Sequence, residues 1–140
     1  EGCASCVRRG LCFVRAARAV LRACGESRLE EIPNIVLTGP AGYLDFVALM
    51  AESKLVLTDS GGLQEETTAL GIPCLTLREN TERPITVTEG TNTIVGNDTQ
   101  VILDAAYDVL DNGGKAGRIP ELWDGKTAIR IADLIQDRIG

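Results

Sequence analysis

From residue 33 onward the chain repeats one unit: a short apolar run, a turn, and a stretch with helical spacing. The runs are Asn34 to Thr38 (NIVLT), Lys54 to Thr58 (KLVLT), Pro73 to Leu77 (PCLTL) and Thr93 to Val95, each read as a strand. Between them, Tyr43 to Ser53 is expected to be a helix, Gln64 to Leu70 a helix closed by Gly71, and Ile85 to Thr88 a short helical turn. Asn97 or Asp98 caps a longer helix over 99–111, with Val101, Ile102, Ala105, Ala106, Val109 and Leu110 facing inward and Asn112-Gly113-Gly114 ending it. A last helix is expected from Lys126 to Arg138, with Ile129, Ala132, Ile135 and Ile139 inward. Strands that are apolar on both faces must be covered on both faces. Alternation with helices therefore predicts an α/β domain with a Rossmann-like parallel sheet and helices on both sides.

Residues 1–32 differ from this pattern and are rich in Ala, Arg, Cys and Gly. They carry six of the fourteen basic residues and four of the twenty acids, a charge of +2 that leaves -8 on the remainder. Residues 12–24 (CFVRAARAVLRAC) have the spacing of a basic amphipathic helix, and a packed helix with a solvated face is its favoured reading. The expected division is thus an atypical, helical segment at 1–32 and a Rossmann-like domain at 33–140. The chain begins with Glu1, consistent with a piece of something longer.

The acidic balance argues against a nucleic-acid partner, which calls for a basic face. No apolar run approaches the about 20 residues that cross a bilayer, and no secretory leader is visible. The expectation is no membrane and a cytoplasmic location. Of the five cysteines, four lie at positions 3, 6, 12 and 24. Their odd total disfavours a disulfide framework. With one C-x2-C pair and no histidine in the chain, they make a poor zinc site. No metal and no cofactor is expected.

Ligands of such sheets sit beyond the carboxyl ends of the strands, so the strand-to-helix turns carry the functional expectation. At LTDSGGLQEE, residues 57–66, a strand runs into Asp-Ser-Gly-Gly and then a helix. Free N–H groups at a helix start attract a phosphate, and two glycines let backbone approach it closely. Ser60 can donate to the same anion or serve as N-cap, so a ligand site at Ser60, Gly61 and Gly62 and a plain capped helix both fit. Glu66, one turn on, could accept both hydroxyls of a ribose. Arg83, fixed before a proline in the polar RENTERP segment, suits a phosphate or carboxylate.

The stretch LTDSGGLQEETTALGIPCLTLRENTERPITVTEGTNTIVG, residues 57–96, resembles the UDP-N-acetylglucosamine 2-epimerase family. The likeness extends back through NIVLTGPAGYLDFVALM and forward to DGKTAIRIADLI, roughly residues 33 to 138. It implies one half of a two-domain GT-B fold, most of the C-terminal domain that holds UDP. Carried over, Ser60, Gly61 and Gly62 would contact the diphosphate and Glu66 the ribose. Phe46, otherwise a core position, would lie beside the uracil, and Arg83 near the sugar phosphate.

The family reaction inverts C2 of the sugar by anti elimination of UDP to a glycal and re-addition on the other face. The resemblance puts the proton-transfer acids in an N-terminal domain that this chain lacks, and the family's expected histidines are missing. No catalytic residue is therefore expected in this chain, which should be inactive alone. The partners implied are UDP-GlcNAc or UDP, the missing N-terminal domain and a second copy in a homodimer. Alternatives are the donor-nucleotide domain of a GT-B glycosyltransferase, against which TERP and EGTN speak, and a non-catalytic nucleotide-binding module.

Overall fold

The computed structural model describes residues 12–13, 36 and 38–139, with backbone only at 12 and 13. Four short strands form one parallel sheet in sequential order: β1 (Cys12–Phe13), β2 (Val56–Thr58), β3 (Cys74–Thr76) and β4 (Asn92–Ile94). Val56 pairs with Cys12 on one side and Cys74 on the other, and Cys74 pairs in turn with Asn92. The helices are α1 (Tyr43–Ala51), α2 (Gly61–Leu70), α3 (Pro84–Thr88), α4 (Thr99–Asn112) and α5 (Thr127–Ile139).

The two-residue period of the strands sorts the core into two faces. Leu55, Leu57, Leu75 and Val95 point one way and pack with Val109, Ile102, Ala105 and Ala106 of α4. Val56 points the other way and packs with Met50 of α1 and Leu63 of α2. Helices on both faces of a parallel sheet give the Rossmann-like α/β architecture expected.

Turn chemistry sets the helix limits. Asp98 caps α4, its Oδ1 accepting from the backbone N–H of Gln100 and Val101 at 2.9 and 3.1 Å. Gly71 ends α2 with φ 72° and Gly113 ends α4 with φ 85°, left-handed conformations that favour glycine. Past α4 the chain returns across the α3–β4 connection. Arg118 N–H donates to Glu89 O at 2.8 Å, and Lys115 Nζ donates to Val87 O.

Four expectations need correction. Cys12 and Phe13 are strand rather than the start of a helix, because their backbone pairs with the edge of β2; residues 14–24 lie outside the described residues. Of the strand expected at 34–38, Val36 and Thr38 have no regular secondary structure, and the other three positions lie outside the described residues. On α4, Val101 and Leu110 are exposed while Val109 is buried, so the inward stripe is narrower than the period suggests. On α5, Ile129, Ala132, Ile135 and Ile139 are all exposed. No described residue packs over that face, and Ile131, Leu134, Ile135 and Ile139 line an open apolar hollow.

Candidate functional site

The site is built around the start of α2, where β2 ends. Ser60 is the N-cap residue in extended conformation (φ -87°, ψ 128°), but its side chain makes no capping bond. It is held instead through its backbone, whose N–H donates to Thr58 Oγ1 at 3.0 Å. The serine hydroxyl is therefore not committed to the helix.

Neither following glycine is needed by the fold. Gly61 and Gly62 have no positive φ, a Cβ on Gly61 would meet nothing within 4 Å, and one on Gly62 would touch only Ser60 Oγ at 4.0 Å. Gly90 contrasts sharply, since a Cβ there would lie 2.4 Å from Thr68 Oγ1 and 2.6 Å from Thr86 O. The open space and free helix N–H groups at Gly61–Gly62 suit an anion.

Glu66 is half-buried one turn beyond Gly62. Arg83 caps α3, directly before Pro84 at its first position. Its Nε lies 3.1 Å from Glu65 Oε1, which ties the loop after β3 to α2. Glu65, not among the candidate residues read from the sequence, thus engages the candidate arginine. Phe46 is half-buried and packs against the Met50, Val56 and Leu63 cluster, which joins α1 to α2. The structure therefore groups Ser60, Gly61, Gly62 and Glu66 on α2 and brings Arg83 to the same helix. Phe46 packs against the cluster that Leu63 of that helix joins.

Sequence reasoning missed a buried polar cluster beneath this surface. Gln64 and Asn92 are both fully buried. Asn92 Nδ2 donates to Gln64 Oε1 at 3.2 Å and to Thr86 Oγ1 at 3.1 Å, while Thr76 Oγ1 donates to Asn92 Oδ1 at 2.6 Å. Thr81 Oγ1 donates to Gln64 Oε1 at 2.5 Å. The available signal was strand alternation. Thr76 shares its sheet face with Cys74, two residues earlier, where an apolar residue would be the ordinary choice. Cys74 is itself buried, and burial pushes its thiol pKa up against the opposing hydrogen bonds of Thr67 and Thr76.

Among the described residues no cluster of three or more His, Cys, Asp or Glu could hold a metal. The side chains of Cys3, Cys6, Cys12 and Cys24 lie outside them. No helix of the described residues is long and apolar enough to cross a membrane.

A parallel sheet with helices on both faces, carrying an open glycine-bearing helix start at a strand's carboxyl end, defines a Rossmann-like α/β unit. Residues 12–136 match the family model described as UDP-N-acetylglucosamine 2-epimerase, and the chain belongs to that family. The chain is 50% identical over 113 residues to the UDP-N-acetylglucosamine 2-epimerase of Escherichia coli strain K12, covering 78% of this chain and 30% of that protein. It is 39% identical over 108 residues to the Methanocaldococcus jannaschii enzyme of the same name, covering 77% and 29%. Among solved structures, the M. jannaschii UDP-GlcNAc 2-epimerase in complex with UDP-GlcNAc and UDP superposes with a TM-score of 0.75 at 34% identity. That match covers 89% of this chain and 35% of the other. The Neisseria meningitidis UDP-GlcNAc 2-epimerase bound to UDP-GlcNAc gives 0.68 at 30% identity, covering 89% and 36%. The chain spans about 30% of the length of the curated relatives it matches.

Proposed function

We propose that this chain is the C-terminal, UDP-binding part of a UDP-N-acetylglucosamine 2-epimerase. In this reading the helix start at Ser60–Gly62 receives the diphosphate, Glu66 the ribose hydroxyls, Arg83 the phosphate next to the sugar, and Phe46 lies beside the uracil. The observation that carries it is the pair Gly61–Gly62, which leaves open backbone at a helix N-terminus for no reason internal to the fold. Relatives crystallised with UDP-GlcNAc and UDP support the ligand class.

The chemistry assigns this part the leaving group. Elimination removes the proton at C2 and breaks the C1–O bond, so electrons flow onto the departing UDP. Hydrogen-bond donors and positive charge around a diphosphate stabilise that departing charge. Re-addition of UDP to the glycal, with proton delivery to the opposite face of C2, gives UDP-N-acetylmannosamine. We assign the proton-transfer acids to an N-terminal domain, and expect this chain alone to bind nucleotide without turning it over. A homodimer, a cytoplasmic setting and a role in cell-surface polysaccharide synthesis accompany the reading.

Thermal unfolding in the presence of UDP, UDP-GlcNAc and UMP tests it. A ligand at a hundred times its Kd stabilises by about 2.7 kcal/mol. UDP should raise the melting temperature of this chain, and Ser60→Ala and Arg83→Ala should blunt the rise. No shift at millimolar UDP would refute the reading, and protection that survives both substitutions would place the ligand elsewhere.

A further inference from the structure

In the buried cluster under α2 each hydrogen-bond direction fixes the next, and the cluster ends on the backbone of Arg83. Thr86 Oγ1 donates its single hydrogen to Arg83 O at 2.7 Å. That hydroxyl can then only accept from Asn92, which must present its nitrogen. The second hydrogen of the same amide faces Gln64, so Gln64 must present its oxygen. Thr81 consequently donates to Gln64, and its oxygen accepts the Arg83 N–H at 2.9 Å. Both backbone groups of Arg83 are thus held by threonines, and both threonines are oriented by the Gln64–Asn92 pair. Thr76 on β3 anchors the far end.

The arrangement has a cost that a simple core would avoid. With its oxygen committed to Thr81 and Asn92, Gln64 Nε2 is buried without a hydrogen-bond partner. A methionine of similar size would leave no orphan donor, but it would release Thr81. Neighbouring Glu65 meanwhile holds the Arg83 side chain. Successive residues of α2 therefore fix one arginine at backbone and guanidinium, on the helix whose first turn carries Ser60–Gly62.

We propose that Gln64, Thr81 and Asn92 are positioning residues that preorganise Arg83 toward the phosphate groups of the nucleotide. The proposal rests on the reading of Arg83 as a nucleotide contact. Calorimetric titration of this chain with UDP tests it, using Thr81→Val, Thr81→Ser, Gln64→Met and Arg83→Ala, with ligand-free unfolding recorded for each. Thr81→Val and Gln64→Met should each weaken UDP binding roughly three- to tenfold, the factor of one lost hydrogen bond. Thr81→Ser, which keeps the hydroxyl, should bind like the parent. In an Arg83→Ala background Thr81→Val should cost no further affinity, because its effect passes through the arginine. A merely structural role would instead give additive losses in the double variant, and that result would overturn the proposal. Parent-like binding by a folded Thr81→Val while Arg83→Ala is weakened would also overturn it. If Arg83→Ala itself binds like the parent, the arginine is no nucleotide contact and the proposal falls with that reading.

Discussion

Arg83 Nε and Glu65 Oε1 lie 3.1 Å apart, an ion pair that spans from the loop after β3 to the second turn of α2. It joins the cation proposed for the phosphate to the helix whose N-terminus is proposed to cradle the same group. Both side chains are more than two-fifths exposed, so solvent screens the pair and its worth to folding is below about 1 kcal/mol. Its consequence lies in orientation. A guanidinium held at Nε is restricted in orientation, and its terminal nitrogens keep donors for a further acceptor.

Glu65→Gln should therefore leave thermal unfolding within about 1 kcal/mol of the parent. UDP affinity should fall a few-fold, and by less than with Arg83→Ala, which removes the cation itself and should lose about tenfold or more. Calorimetry on the three proteins measures this. Equal binding by all three would remove the pair from the nucleotide site.

The two glycine classes make opposite predictions. Gly62→Ala introduces a methyl into open space in a helical residue with ordinary φ, so ligand-free stability should stay level or rise by up to about 0.5–1 kcal/mol. UDP protection should nonetheless drop, because the methyl occupies the approach to the helix N–H groups. Gly90→Ala forces a methyl to 2.4 Å from Thr68 Oγ1 and against the Thr86 carbonyl, an overpacking that costs about 1–3 kcal/mol without touching the ligand. Denaturant melts with and without UDP separate these outcomes. A Gly62→Ala protein that keeps full UDP protection would count against the cradle.

Local signals carried much of the fold. The apolar runs at 54–58 and 73–77 contain β2 and β3, and Asp98, Gly71 and Gly113 punctuate the helices where their side chains or φ values require. The failures share a physical cause, since each depended on a partner distant in sequence. Cys12 and Phe13 fit a helical period but are strand through pairing with Val56 and Leu57. Gln64 and Asn92 are polar letters in sequence, and only the fold brings residues 28 positions apart into one buried bond. At the site, residue types at the α2 start suggested an anion, while Phe46 was visible only through family resemblance because half-buried aromatics are usually core.

The apolar stripe of α5 shows the same limit, because period reveals a face but not what it packs against. Ile129, Ile131, Leu134 and Ile135 are each more than half exposed. Ile135→Asp should accordingly change the unfolding free energy of this chain by no more than about 0.5 kcal/mol, as for other exposed positions. Chemical denaturation checks it. A loss of 2 kcal/mol or more, the range of a core deletion, would mean that the stripe is covered in solution.

The start of α5 should respond to acid. The backbone N–H of Lys126 donates to Asp124 Oδ1 at 2.9 Å, and Arg130 reaches both carboxylate oxygens at 2.9 and 3.0 Å. The Lys126 bond first, and Arg130 second, hold the Asp124 pKa below the ordinary aspartate range. A group whose pKa is depressed by folding contributes its stabilisation above the unfolded value, about 3.9, and loses it as pH falls through the lower folded value. The tether should thus be intact at neutral pH and released only in the acid range below about pH 4. Amide exchange at Lys126 and in the first turn of α5, followed from pH 7 to pH 3 and corrected for intrinsic rates, should show protection falling only at the acid end. Asp124→Asn should lower protection there at neutral pH and flatten that acid step. An unchanged step in Asp124→Asn would assign the acid response to another group.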